Sequence, residues 1–134
     1  MAGYSDYLEG KVLDHLFNPS APFTSPANLY VALFTAAPND AGGGTEVSGN
    51  AYARVQVTNG TTTFTRSGST ISNIVAITFA APSPSAWGTV THWGLLDASS
   101  GGNFWGSAAL AVSRATSVGV ALSFAIGALT ITLD

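Results

Sequence analysis

The sequence contains no cysteine and very little charge. With no cysteine among its 134 residues, the chain can form neither a disulfide framework nor a thiolate metal site. Only 8% of its residues are charged, against about a quarter in ordinary soluble domains. The four basic residues are scattered along the chain. Because no basic cluster is available to neutralise phosphates, we do not expect a nucleic-acid partner.

The chain also lacks a long unbroken apolar run. Apolar residues make up 46% of it, but the mostly apolar stretch 118–133 is interrupted by Ser123, Gly127 and two threonines. A membrane-spanning helix needs about 20 apolar residues in sequence. The first residues show no basic segment followed by an apolar run. We therefore expect neither membrane insertion nor a secretory signal.

Groups suited to catalysis or metal binding are scarce. The two histidines, His15 and His92, have no nucleophile-elbow motif near them and no spacing typical of a catalytic triad. The loop that holds Asp40 and Glu46 has too few carboxylates for a calcium site. The glycine-rich segments lack the pattern of a phosphate-binding loop. The sequence therefore predicts no enzyme activity, no metal and no cofactor.

Residues 5–17 have the pattern of an amphipathic helix, with acidic residues in the first turn. Asn18-Pro19 ends it, because a residue before proline is pushed out of the helical region. Its apolar residues recur at a spacing of three to four: Leu8, Val12, Leu13, Leu16 and Phe17. A helix this short, weakened by Gly10, is marginal alone in water. We therefore expect Leu8, Leu13, Leu16 and Phe17 to dock on the sheet or on a neighbouring subunit.

From about residue 28 the apolar pattern changes to a period of two, which is typical of strands. The segment 29–34 is apolar on both faces, as in a central strand. About seven or eight short strands follow one another between turn signals. This pattern predicts a mainly β chain: an antiparallel, jelly-roll-like β-sandwich over residues 28–134, with one N-terminal α-helix. Since no linker divides it, residues 1–134 are predicted to form a single domain.

Aromatic residues flank one predicted hairpin. They are Trp87, Trp93, Phe104 and Trp105. Such residues can fill a sandwich core, stack on sugars or anchor a protein interface. Trp105 is out of phase with the apolar row that begins at Phe104, which makes it the best candidate for exposure. We take these four residues as the candidate partner interface.

Five segments, in order along nearly the whole chain, carry a family resemblance. They are Tyr4-Ser-Asp-Tyr-Leu-Glu, Leu29-Tyr-Val-Ala-Leu-Phe-Thr, Tyr52-Ala-Arg-Val, Trp87-Gly-Thr-Val-Thr-His-Trp-Gly-Leu-Leu-Asp and Gly127-Ala-Leu-Thr-Ile-Thr-Leu. In combination they resemble the small tail-fibre-like virion proteins of tailed bacteriophages. The resemblance implies a structural component of the phage particle, assembled in the host cytoplasm. A fibre, a tail accessory and a capsid decoration (cement) protein all remain open.

Partners are predicted from the low charge and from strands that are apolar on both faces. Both features indicate that part of the surface is covered by other chains. We expect a homo-oligomer that also contacts other virion proteins. The number three comes only from the resemblance, because fibres and capsid decorations are frequently three-fold. The alternative function is a carbohydrate-binding module that attaches the particle to a host-surface glycan. Open aromatic platforms would favour that alternative, and aromatics buried against another chain would favour assembly.

Overall fold

The computed structural model describes residues 3–132. The elements are β1 (Gly3–Tyr4), α1 (Asp6–Phe17), β2 (Asn28–Ala36), β3 (Thr45–Glu46), β4 (Val55–Thr58), β5 (Phe64–Ser67), β6 (Thr70–Asn73), β7 (Ile77–Phe79), β8 (Thr89–Leu96), β9 (Phe104–Ala115), β10 (Leu122–Phe124) and β11 (Thr130–Thr132). The fold is mainly β with one helix in this part of the chain, as the sequence predicts. No helix within residues 3–132 is long and apolar enough to cross a membrane.

Local capping explains where α1 begins and ends. Ser5 is the extended residue before the helix, and its hydroxyl accepts a hydrogen bond from the Leu8 amide at 3.2 Å. This cap satisfies one of the amides that the first turn leaves without a partner. At the other end the Asn18 amide donates to the Asp14 carbonyl, and the following proline stops the helix. The observed bounds agree closely with the predicted range 5–17.

The strands form three antiparallel sheets. The large sheet has the order β1-β9-β8-β2-β3, and β4 also pairs with β2. The two small sheets are β10-β7 and β11-β6-β5. One cluster of buried residues, here called the main core, contains side chains from all three sheets, such as Val31, Phe79 and Ile131. Residues from opposed sheets thus share one core, which is consistent with the predicted β-sandwich.

Strand β2 lies in the middle of the large sheet and is buried on both faces. Val31 and Leu33 lie in the main core. Ala32 and Phe34 point to the other face, where they form a second cluster with Leu96. The prediction of a central strand that is apolar on both faces is confirmed here.

The structure has more strands than the seven or eight predicted. Eleven are found within residues 3–132, and two of them, β1 and β3, are only two residues long. The predicted strand over residues 71–79 is divided into β6 and β7, because the chain leaves the sheet around Val75, which is exposed. The grouping of residues 1–134 into one domain stays a prediction.

Candidate functional site

Three of the four predicted interface aromatics lie inside the protein. Trp93 has 1% of its surface exposed, and Trp87 and Trp105 have 8% each. All three belong to the main core. The expectation that Trp105 is exposed is therefore wrong for the chain by itself. A role of these residues in a partner interface stays a prediction. Only side chains with accessible surface can contact a partner without a rearrangement of the chain.

The pairing of β8 with β9 explains the position of Trp105. The register shifts between Leu95 and Leu96, so that Leu95 pairs with Gly106 and Leu96 pairs with Phe104. Phe104 thereby faces the second cluster, with its ring 6.3 Å from that of Phe34. Trp105 points to the main core. Because β9 carries apolar residues on both faces, sequence alternation alone cannot decide which face is inside.

Phe104 is only partly buried and lines a pocket between two loops. This loop pocket has a volume of about 300 Å³. Its lining combines the aromatic rings of Phe34 and Phe104, the charged side chains of Glu46 and Arg54, and the glycines at 42–44 and 101–102. Here a predicted site residue, Phe104, meets charged groups and an accessible surface.

The charged wall of the loop pocket is an ion pair that sequence reasoning missed. Arg54 donates from Nε to Oε1 of Glu46 at 2.7 Å and from Nη2 to Oε2 at 2.8 Å. Its Nη1 donates to the carbonyls of Ala98 and Gly101, each at 2.8 Å. The hydrogen bonds to Glu46 raise the pKa of Arg54 above its ordinary value. One side chain therefore joins strand β3, which follows the first loop, to the loop between β8 and β9.

Tyr52 completes this cluster. Its hydroxyl accepts from the Leu33 amide at 3.0 Å and donates to Glu46 Oε1 at 3.0 Å. Burial raises the pKa of Tyr52 well above its usual range, and the hydrogen bond from the Leu33 amide partly opposes this. The available sequence signal was an arginine two residues after a tyrosine in a chain with only four basic residues.

Helix α1 turns its apolar side away from the protein. None of its 12 residues is buried. Tyr7, Leu8, Lys11 and Asp14 are the partly covered positions, and of these Tyr7 and Leu8 pack on the main core. The exposed apolar residues form what we call the outer stripe: Val12 (43% exposed), Leu13 (58%), Leu16 (65%) and Phe17 (78%). Docking of Leu13, Leu16 and Phe17 on the chain's own sheet is therefore wrong, and only Leu8 makes that contact.

Backbone and side-chain bonds at Ser5 hold the helix in this position. The Ser5 amide donates to the Trp105 carbonyl at 2.9 Å, and the Ser5 hydroxyl donates to the Phe104 carbonyl. The Asp6 amide donates to the Asp40 carbonyl at 3.1 Å. The start of α1 is thus fixed to β9 and to the loop after β2, while its later turns extend away from the core.

An apolar groove of about 460 Å³ lies beside the start of the helix. Its apolar lining comes from the helix, from the large sheet and from the sheet β11-β6-β5, and it includes Tyr4, Leu8, Leu29, Phe64, Ile71, Leu95, Trp105 and Ile131. Thr65 and Arg66 of the edge strand β5 lie at its lining as well, and both are exposed. The groove and the outer stripe are both apolar features open to solvent.

The side chain of His92 has a hydrogen-bonding partner on its own strand. His92 lies on β8, partly buried, and its Nδ1 is 2.8 Å from the hydroxyl of Thr91. His92 is thus a strand residue that shares a hydrogen bond with its neighbour in sequence. Within residues 3–132 no three His, Asp or Glu side chains are grouped closely enough to hold a metal ion.

Comparison with protein families gives a match that spans residues 3–132 and is described as podophage GP4 fiber I protein gp80. No curated protein matches the chain significantly. The family match covers nearly all of the chain, as did the five segments that resemble tail-fibre-like virion proteins. The chain therefore belongs to the podophage GP4 fiber I protein gp80 family and is a structural component of a bacteriophage virion.

Proposed function

We propose that this chain is a non-enzymatic fibre component that works through protein–protein contacts, as a homotrimer joined to other virion proteins. The observation that carries the proposal is the outer stripe of α1. Isolated soluble chains rarely expose contiguous apolar patches of this kind, and such patches mark interaction sites. With 8% charged residues, the surface also has few charges to keep copies apart in solution.

The helix itself argues for a partner. Only its first turns contact the main core, through Tyr7 and Leu8. A 12-residue helix gains most of its stability from packing of its apolar face. Here that face lies open, so the remaining stabilisation has to come from another chain. Contact with a neighbour would cover Leu16 and Phe17 and would order the end of the helix.

The family supports the choice of a fibre over a capsid decoration, because its description names a fibre protein. The three-fold number rests on the frequent three-fold symmetry of such fibres rather than on any contact in the chain. Closed cyclic assemblies are the usual outcome of self-association. We further propose that the chain assembles in the host cytoplasm before it joins the particle.

Several features support a role without catalysis. His92 is engaged with Thr91 on a strand, and the Glu46 carboxylate is held by Arg54 and Tyr52. A general base needs a free position within reach of a substrate proton. The cluster of Glu46, Arg54 and Tyr52 connects strands and loops, which is a structural task.

Light scattering on the purified chain tests the proposal. We expect a mass near three times 13.6 kDa that is maintained on dilution into the micromolar range. Leu16→Asp should shift the mass toward 13.6 kDa, because it places a charge in the apolar contact. The matched control is Val112→Asp, which adds the same charge at an exposed valine on β9. A wild-type mass of 13.6 kDa that persists on concentration would refute self-association.

The loop pocket supports the second candidate function, binding of a host-surface glycan. Aromatic rings bind the apolar faces of sugars, and backbone groups of surrounding loops supply hydrogen bonds. Phe104 provides a partly open ring beside two glycine-rich loops. If a glycan binds here, Phe104→Ala should abolish binding on a glycan array, whereas Phe17→Ala, on the outer stripe, should leave it unchanged. An array without any bound glycan would argue against this candidate.

A further inference from the structure

We propose that the outer stripe of one copy fills the apolar groove of a second copy. Glu9, one turn before the stripe on the same side of the helix, then faces Arg66 at the groove. This inference rests on the proposed self-association and specifies its interface. The partner surface on each side is thus a second copy of this chain. Each copy would donate one helix and receive another.

Helical spacing places an acid on the outer stripe. Relative to Glu9, Val12 and Leu13 lie three and four residues further on, and Leu16 lies seven further on, so all four share one side of α1. Glu9 is exposed. The side that turns outward is therefore apolar, with the carboxylates of Asp6 and Glu9 at its N-terminal end. A complementary surface has to be apolar with a basic group at one edge.

The groove has these properties. Its volume of about 460 Å³ is about three times that of a cavity of ~150 Å³, which holds one benzene ring. It can therefore accept a few large aliphatic or aromatic side chains. Leu29, Phe64 and Ile131 contribute to its apolar lining, and Arg66 adds the positive charge.

Arg66 is available for such a contact. Its Nη1 donates to the Gly68 carbonyl at 2.7 Å, which uses a small part of the five donors of a guanidinium. In the part of the chain that the structure describes, no acidic side chain pairs with it. A carboxylate from a neighbouring copy would supply the missing charge. Electrostatic complementarity of this kind fixes the register of an interface more than its affinity.

The same charges disfavour the simplest alternative, in which outer stripes pack against one another. That arrangement would bring the Glu9 carboxylates of different copies together around the apolar contact. Like charges placed opposite each other across an interface cost several kcal/mol of binding free energy. Packing of the stripe into the groove instead brings Glu9 to Arg66.

The size of the contact favours a closed ring over an isolated pair. The outer stripe exposes on the order of 400 Å², if about 150–200 Å² is taken for each large apolar side chain when fully exposed. One stripe in one groove then buries at most roughly 800 Å² over both partners, which is below the ~1,000 Å² expected of a stable interface. Stripe and groove are different surfaces, so the contact can be repeated head-to-tail until it closes into a ring. Each copy then takes part in two contacts.

Cross-linking tests the pairing, because the wild-type chain has no cysteine to interfere. The variant Leu16→Cys/Thr65→Cys carries one thiol on the outer stripe and one at the groove. With a short bis-maleimide we expect dimers and trimers on a denaturing gel, joined between residues 16 and 65 by peptide mapping. Leu16→Cys alone should stay uncross-linked. The control Val112→Cys/Thr65→Cys should give at least about tenfold less product.

A charge exchange gives a second readout. Glu9→Arg and Arg66→Glu should each weaken the association by about tenfold, and the double variant should restore it. Cross-links between residue 16 of two copies would overturn the inference. An intact oligomer mass without any link between residues 16 and 65 would overturn it as well. In both cases the proposed self-association would stand. A monomeric wild type would overturn both.

Discussion

Arg54 and Glu46 are joined by two parallel hydrogen bonds, of 2.7 and 2.8 Å, across the wall of the loop pocket. This paired geometry is the strongest that a guanidinium and a carboxylate can form. The arginine side chain is 9% exposed and the glutamate side chain 26%. The same arginine also binds carbonyls of the loop that connects β8 to β9. It therefore connects segments that are far apart in sequence.

Loss of this connection should destabilise the fold. Arg54→Met leaves Glu46 with the Tyr52 hydroxyl as its remaining donor and removes the guanidinium from two loop carbonyls, and we expect a loss of about 2–3 kcal/mol in the free energy of unfolding. Urea denaturation would measure it. The control is Lys11→Met, which removes the same charge from a long, 3.8 Å surface pair and should change stability by less than about 0.5 kcal/mol. Equal effects of the two substitutions would contradict the structural role of Arg54.

Ionisation of the Tyr52 hydroxyl should lower the free energy of unfolding at high pH. Burial raises the pKa of its hydroxyl, so the neutral phenol is favoured in the folded state. Its contribution is complete below the unfolded-state pKa of about 10 and is lost as pH rises above that value, because the unfolded chain then releases the proton first. Urea midpoints measured between about pH 9 and pH 11 should decline. Tyr52→Phe should flatten this decline, whereas Tyr30→Phe should not.

Trp105 and Phe104 should differ in their effect on stability. Trp105 lies in the main core, while Phe104 is partly exposed against the second cluster. Trp105→Ala should cost about 3–5 kcal/mol of unfolding free energy, and Phe104→Ala clearly less, about 2 kcal/mol. Chemical denaturation of both variants would measure the difference. A larger loss of unfolding free energy for Phe104→Ala would mean that Phe104, and not Trp105, faces the main core.

Substitutions of Leu16 and Leu8 should distinguish packing within one chain from packing between chains. Leu8 packs on the main core, while Leu16 is 65% exposed. At concentrations where copies are apart, Leu16→Ala should change stability by less than about 0.5 kcal/mol, and Leu8→Ala should cost about 1–2 kcal/mol. At higher concentration Leu16→Ala should remove the rise in melting temperature that association gives the wild type. A large loss for Leu16→Ala in the dilute sample would show that the helix docks within its own chain.

The elements that sequence predicts well are those with local signals. The range of α1 follows from its acidic first turn and from Asn18-Pro19, and the central position of β2 follows from apolar residues on both faces. These signals lie within a few residues of the element they specify.

The parts that sequence did not predict depend on distant contacts. The spacing of apolar residues in α1 reveals a stripe, but the usual assumption that such a stripe faces the core fails here. What decides its direction is the anchoring of Ser5 to β9, about 100 positions away. The cluster of Tyr52, Arg54 and Glu46 likewise depends on how the loops meet. Only a structure brings these residues together.

A side chain at residue 106 should detach the helix from the sheet. Strand β1 passes directly over Gly106, where an added Cβ would collide with the Gly3 carbonyl oxygen and lie 3.3 Å from the Cα of Tyr4. Gly106→Val should therefore displace β1, break the bonds of Ser5 to β9 and fray α1, at a cost of about 1–3 kcal/mol. Circular dichroism near 222 nm and urea denaturation would measure both effects. The control is Gly10→Ala, where no atom lies within 4 Å of the added Cβ and the helix should gain about 0.5–1 kcal/mol. If Gly106→Val kept its helical signal and its stability, α1 would not depend on β1 for its anchorage.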